Sequence, residues 1–168
     1  MKRALFPGTF DPPTLGHVDI IKRSSSICDK LYVGIAVNSA KTEGLFSTEE
    51  KIEMLKTVCA PYPHVEVACF NSLVVEFAKQ HQIDFLIRGL RAFSDFEYEF
   101  RMALTNRHLS GIETLFLMAE GQVAHISSTL IRELGHYQSR LHDFIPREIE
   151  DQVFQRVSQS LKRPPMRP

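Results

Sequence analysis

Short apolar runs rich in Val, Ile, Leu and Phe alternate with amphipathic stretches from one end of the chain to the other, and nothing else in the sequence restricts its fold so tightly. That alternation is the signature of βαβ units. The runs that read as strands are Arg3 to Phe6, Leu31 to Val37, Val65 to Phe70, Phe85 to Ile87 and Thr114 to Met118. They are continuously apolar rather than alternating, which suits a parallel sheet covered on both faces. Between them Ile52, Leu55 and Cys59 share one helical face, and Phe96, Phe100, Ala103 and Leu104 share another in a later segment. Ser47 and Glu50 have the spacing of a capping box at the start of the earlier helix. A last helix is predicted from Pro146, as a first-turn proline, to Leu161, with Ile149, Val153, Phe154 and Val157 facing inward. With no internal repeat or linker, the expected fold class is α/β: a doubly wound, five-stranded parallel sheet of Rossmann-like type, one domain over residues 1–162. A chain of 168 residues, 43% of them hydrophobic, has core material for one domain and hardly for two. Residues 163–168, rich in proline and cations, read as a disordered tail.

Twenty basic and twenty acidic side chains cancel, so the surface has no net field with which to hold a nucleic-acid backbone or an anionic membrane. Any anion site must be local. Met1 to Phe6 is far short of a signal-peptide apolar region, and no stretch is long enough to span a bilayer. Cys28, Cys59 and Cys69 are odd in number and lack metal-site spacing, which points to reduced, buried thiols in a cytoplasmic protein. His64, His81, His108, His136 and His142 have no metal-site spacing either and read as surface or core residues.

Doubly wound sheets bind ligands at the carboxyl ends of their strands, so the informative residues lie just after strands. After the first strand comes Pro7-Gly8-Thr9-Phe10-Asp11-Pro12-Pro13-Thr14-Leu15-Gly16-His17, leading into a helix. Gly8 and Gly16 permit close backbone approach, the prolines stiffen the loop, and Thr14 suits an N-cap. His17 falls in the first helical turn, beside free amides and the positive end of the helix dipole. Neither a Walker A loop nor a G-x-G-x-x-G fingerprint is present. Ile87-Arg88-Gly89-Leu90-Arg91 brings two guanidinium groups to the end of the fourth strand, and arginine suits multi-oxygen anions. Lys41 follows the second strand, and Ser127-Ser128-Thr129 gives a helix N-cap signal after the fifth. Taken one at a time, each of these has an ordinary reading as a solvated cation or a cap.

Together they resemble something more specific. F-D-P-x-T-x-G-H is the form that the H-x-G-H signature of the nucleotidyltransferase superfamily takes in the phosphopantetheine adenylyltransferases, with Thr14 in place of the first histidine. Ile87 to Arg91 resembles that family's fourth-strand motif, and Ile126 to Thr129 its I-S-S-[ST] segment. The resemblance covers about residues 2–158. It implies that His17 stabilises the transition state at the α-phosphate of ATP. It implies Thr9, Lys41, Val74 and Arg88 as contacts for 4′-phosphopantetheine, with Leu73 beside Val74 along the pantetheine channel. For ATP it implies Thr9, Phe10, His17, Gly89, Leu90, Arg91, Glu99 and the run Val123, Ala124, His125, Ile126, Ser127, Ser128 and Thr129. The stretch Thr42-Glu43-Gly44 departs from the Lys-Lys-Pro of the family and holds an extra residue.

The implied reaction is adenylyl transfer from ATP to 4′-phosphopantetheine, giving dephospho-coenzyme A and pyrophosphate. An anionic phosphate nucleophile needs neutralised charge and alignment rather than a strong base, which suits His17, Lys41, Arg88, Arg91 and helix-terminal amides. Mg²⁺ is expected on ATP phosphates and water, not on protein side chains. The family also implies a homohexamer and feedback binding of coenzyme A. Two other readings stand beside this one: transfer to another acceptor such as nicotinamide mononucleotide or glycerol phosphate, and a nucleotide-binding regulatory module without turnover. A truncated class I aminoacyl-tRNA synthetase shares the histidine signature, but the chain lacks the length and basic charge for tRNA.

Overall fold

A computed structural model describes residues 1–37, 44–137 and 139–160. The elements run β1 (Arg3–Gly8), α1 (Leu15–Ser25), β2 (Lys30–Ala36), α2 (Thr48–Cys59), β3 (Val65–Phe70), α3 (Val74–Gln80), β4 (Phe85–Leu90), α4 (Phe93–Ser110), β5 (Glu113–Met118), α5 (Ser128–His136), a 3-10 turn (Arg147–Ile149) and α6 (Glu150–Ser160). All five strands pair in parallel, in the order β3-β2-β1-β4-β5. The expected α/β, doubly wound sheet is therefore present, and its order reverses between β1 and β4. The tail expected at 163–168 and the expected domain boundary at 162 lie outside the described residues.

The reversal point is also where the sheet opens. β1 and β2 stay in register from Arg3↔Lys30 to Gly8↔Ile35, and β4 and β5 from Phe85↔Glu113 to Leu90↔Met118. β1 and β4 pair only at Ala4↔Phe85 and Leu5↔Leu86. Beyond that they part toward their carboxyl ends, and α1 packs close to the gap: a Cβ on Gly89 would lie 2.9 Å from Cγ1 of Ile20. A side chain at 89 would push α1 off the sheet.

α2 joins two cores. Its Leu55 and Cys59 pack with Ala4, Phe6, Ile21, Leu31 and Ile35, while Met54 and Val58 pack with Ile126, Ile131, Ile149 and Val153. The capping box at its start has both halves: Ser47 Oγ accepts from Glu50 N at 3.2 Å, and Glu50 Oε2 accepts from Ser47 N at 2.8 Å. A third cluster, with Leu5, Tyr32, Phe70, Val75 and Phe77, lies under α3.

Several expectations need correction. The sheet is not covered on both faces throughout, because α4 buries none of its residues and Leu115 and Met118 of β5 are exposed. β1 and β4 run on through Pro7-Gly8 and Arg88-Gly89-Leu90, since neighbouring strands satisfy the backbone whatever the side chains. Pro146 caps the 3-10 turn with ψ 134 instead of occupying the first turn of the last helix, and that helix begins at Glu150. Ile149, Val153 and Val157 are buried, whereas Phe154 lies one step round the helix and is exposed. Cys59 is buried, with its thiol pushed up to about 11 by burial, but Cys69 is exposed. No described helix is long and apolar enough to cross a membrane.

Candidate functional site

The parted ends of β1 and β4 open into a cavity of about 1130 Å³. Thr9, His17, Arg88, Gly89, Arg91, Glu99, Ile126, Ser127, Ser128 and Thr129 all line it, so the three motifs after β1, β4 and β5 converge on one space.

His17 is held by a capping box of its own. Thr14 is the N-cap of α1, its Oγ1 accepting from His17 N at 3.4 Å, while the backbone N–H of Thr14 donates to His17 Nδ1 at 3.0 Å. An accepting Nδ1 places the ring proton on Nε2. The Thr14 hydroxyl also lies 3.0 Å from Nδ1, and Nε2 has no hydrogen-bond partner among the described residues, so its proton is available to a ligand. Burial, then the positive charges of Arg91 and Arg88, hold the imidazole down to about 4, so it is neutral at physiological pH. The ring of Phe10 stands edge-on at 5.0 Å and that of Phe6 at 6.5 Å, which fixes the imidazole plane.

Among the described residues four carboxylates line the cavity, and each carries a guanidinium that lines it too. Glu99 grips Arg88 bidentately, at 2.5 and 2.6 Å, while Arg88 also donates to the carbonyl of Pro7 at 2.5 Å. Asp95 takes Arg91 at 3.1 Å, Asp11 takes Arg132 at 3.4 Å, and Glu50 takes Arg156. An arginine held this way keeps unused N–H groups for a phosphate, and its orientation is set before the ligand arrives. Among the described residues, no three His, Cys, Asp or Glu gather where they could hold a metal.

At the α5 end the hydroxyls divide their work. Ser127 caps the helix by accepting from Leu130 N at 3.1 Å, Ser128 donates to the carbonyl of Pro12 at 3.0 Å, and Thr129 accepts from Arg132 at 3.2 Å. The first turn of α5 is thereby tied to the loop after β1, with its amides facing the same cavity as His17.

The remaining expected site residues fall elsewhere. Phe10 takes a left-handed backbone (φ 47), its side chain is fully buried against His17, and it is not part of the cavity wall. Leu90 is buried, and Val74 packs against the cluster under α3, away from the cavity wall. Leu73 is exposed beside it. Val123, Ala124 and His125 form the turn before α5 and do not line the cavity, although Val123 packs on the core beneath it. Lys41 lies outside the described residues. The wall also holds residues to which the sequence assigned no site role: Asp11, the strap Gly44 to Ser47, Asp95, Tyr98, Arg132 and Arg156. Asp11 sits inside a motif and Arg132 just past one, but they meet across 121 positions, and Arg156 sits on a helix that reads only as core packing.

The family model for cytidylyltransferase-like proteins matches residues 5–134. The chain is 43% identical over 159 residues to a phosphopantetheine adenylyltransferase of Clostridium botulinum strain Hall, covering 94% of this chain and 96% of that one. It is 44% identical over 161 residues to one from Caldanaerobacter subterraneus subsp. tengcongensis, covering 95% and 100%. Among solved structures, a Vibrio parahaemolyticus chain assigned as a nicotinate-nucleotide adenylyltransferase superposes with a TM-score of 0.66 at 14% identity, over 91% of this chain and 99% of that one, a likeness of fold.

Proposed function

The chain belongs to the cytidylyltransferase-like family, and within it to the phosphopantetheine adenylyltransferases, and from that membership we propose that it transfers the adenylyl group of ATP to 4′-phosphopantetheine in coenzyme A biosynthesis. The observation that carries the reading is the meeting of His17, Arg88, Arg91 and the first turn of α5 around one cavity at the reversal point of the sheet.

An oxygen of the acceptor phosphate attacks the α-phosphorus of ATP, the bond to the bridging oxygen of the β-phosphate breaks, and pyrophosphate leaves with that electron pair. The nucleophile is already anionic, so the protein's task is to align and to stabilise charge. Neutral His17 donates its Nε2 proton in a hydrogen bond to the oxygen on which charge builds at the α-phosphorus. Arg88, held by Glu99 and Pro7, receives the acceptor phosphate. Arg91 and the amides and hydroxyls of Ser127 to Thr129 receive the triphosphate, and Thr9 lies between the two substrates. Gly89 keeps its place by letting α1 approach the sheet. Contacts through the backbone of Phe10 and the segments Leu90 and Val123 to His125, and acceptor contacts from Lys41 and Val74, complete the proposed set.

Mg²⁺ belongs to the proposal as a partner of ATP that neutralises the triphosphate. With each described cavity carboxylate engaged by an arginine, phosphate oxygens and water are the fitting ligands for it. Coenzyme A carries both a pantetheine and an adenosine unit, so feedback binding would use the same two subsites. A homohexamer belongs to the proposal as well; the uncovered apolar face of α4 and β5 supports association of some kind. A cytoplasmic location is part of the same proposal.

The test is pyrophosphate release with Mg-ATP and 4′-phosphopantetheine, run beside nicotinamide mononucleotide and glycerol 3-phosphate. Release with phosphopantetheine alone is expected. Release only with another acceptor would overturn the substrate and keep the histidine chemistry; release with none would leave a binding module.

A further inference from the structure

Asp11 is among the few polar side chains the fold buries, at 6% exposure, yet it touches the cavity wall. Its Oδ2 accepts the backbone N–H of Leu45 at 2.8 Å and its Oδ1 that of Phe46 at 2.9 Å. From the other side, Arg132 of α5 reaches the carboxylate at 3.4 Å and the Asp11 carbonyl at 3.5 Å. One carboxylate thus joins three segments: the loop that carries Thr9 and leads to His17, the strap at Gly44 to Ser47, and the first turns of α5. All three line the cavity.

The strap is held on its opposite edge as well. Arg156 of α6 donates to the carbonyl of Leu45 at 3.0 Å, pairs with Glu50, and lies 5.2 Å from the centre of the Phe46 ring, which is buried. Of the four described carboxylates around the cavity, Asp11 is the one that grips backbone from a segment more than thirty residues away. The close approach has left a mark in the sequence. A Cβ on Gly44 would stand 2.7 Å from Asp11 Oδ2, too close for the contact to survive.

We propose that Asp11 is a positioning residue for adenylyl transfer: it locks the strap at 44–46 and Arg132 of α5 to the loop after β1, so that the walls facing the reacting phosphates hold one geometry. The proposal rests on the reading of the cavity as an adenylyltransferase site. The Asp11 carboxylate is engaged by the strap amides and Arg132. Its contribution acts through alignment, where a displacement of about 1 Å costs up to about a hundredfold in rate.

Two variants test it. Asp11→Asn keeps the size but replaces one acceptor oxygen with a donor that faces the strap amides and Arg132. Gly44→Ala keeps the carboxylate and forces the strap away from it. Each should lower kcat for pyrophosphate release with 4′-phosphopantetheine by about tenfold or more, with the Kd for ATP moving less than about threefold and the melting temperature by only a few degrees. In an Asp11→Asn background, Gly44→Ala should add little, because the contact it breaks is already lost. Unchanged kcat in either variant, a loss that merely tracks unfolding, or full additivity in the double variant would overturn the proposal. Absence of pyrophosphate release from the wild-type protein would instead strike the functional reading on which it rests.

Discussion

Helices α2 and α4 look alike in the sequence, each an amphipathic stretch between two strands, and the fold puts them in opposite surroundings. α2 buries Met54, Leu55, Val58 and Cys59 between two parts of the core. α4 buries nothing. Its Phe93, Phe96 and Phe100 stack in a row, touching the sheet through one edge contact from Phe96 to Phe116, and Phe100 and Leu104 stay 44% and 50% exposed. Periodicity announces that a helix has an apolar face in need of a cover. It does not say whether the same chain supplies that cover.

The strongest way to break the comparison is to truncate one side chain on each helix. Leu55→Ala should cost about 2–5 kcal/mol, because it leaves a cavity where two cores meet. Phe100→Ala should cost the isolated chain under about 1 kcal/mol, because the ring has little packing to lose within it. Urea denaturation of both variants, at protein concentrations low enough to separate any assembly, gives the two values. Equal costs would mean that α4 is packed in the single chain as α2 is.

Both flanks also lend the cavity a residue, and their support differs. His17 stands on α1, whose Ile20 and Ile21 are buried, while Glu99 stands on bare α4 and is secured at the cavity by Arg88. His17→Ala should cut turnover by about a hundredfold or more, as loss of a transition-state donor does. Glu99→Gln should cost about tenfold, the scale of one charged hydrogen bond, and should raise KM for the acceptor more than it lowers kcat. Steady-state kinetics with both substrates varied separates the two patterns. A Glu99→Gln loss equal to that of His17→Ala, or one confined to ATP, would make α4 part of the chemistry and not a brace for Arg88.

What could be read from the sequence followed from locality. The strands, the Ser47–Glu50 box and the place of His17 in the first turn of α1 depend on residues within a few positions of one another. The ion pairs that furnish the cavity do not. Asp11 meets Arg132 across 121 positions and Arg156 meets Glu50 across 106, so no spacing announces them. Its place in the motif marks Phe10 as a ligand contact, and the motif does not announce the left-handed backbone and buried ring found there. The resemblance puts Val74 beside the acceptor, and its packing on the cluster under α3 is likewise not announced by its neighbours in sequence. In each case the missing information was how the backbone turns between strands, which side-chain chemistry does not encode.

The smallest expected effect joins the two flanks through charge. His17 is held down to about 4, first by burial and then by Arg91 and Arg88. Its unfolded counterpart titrates near 6.5, about the ordinary histidine value. Between those values the unfolded chain binds a proton that the folded one does not, so His17 makes stability fall as pH drops from about 6.5 toward about 4, and rise again on return. Above that window the imidazole keeps its neutral Nε2 donor, so no inflection in turnover near pH 6.5 should belong to it. Glu99 offsets part of the charge on Arg88, and removing it as Glu99→Gln leaves that cation freer to oppose a charged imidazole, so His17 should titrate lower still. ¹⁵N chemical shifts of the His17 ring, followed against pH in the wild type and in Glu99→Gln, measure both effects. A wild-type midpoint above about 6 would mean that burial beside α1 does not control the ring. A midpoint that rises in the variant would mean that Glu99 does not reach His17 through Arg88.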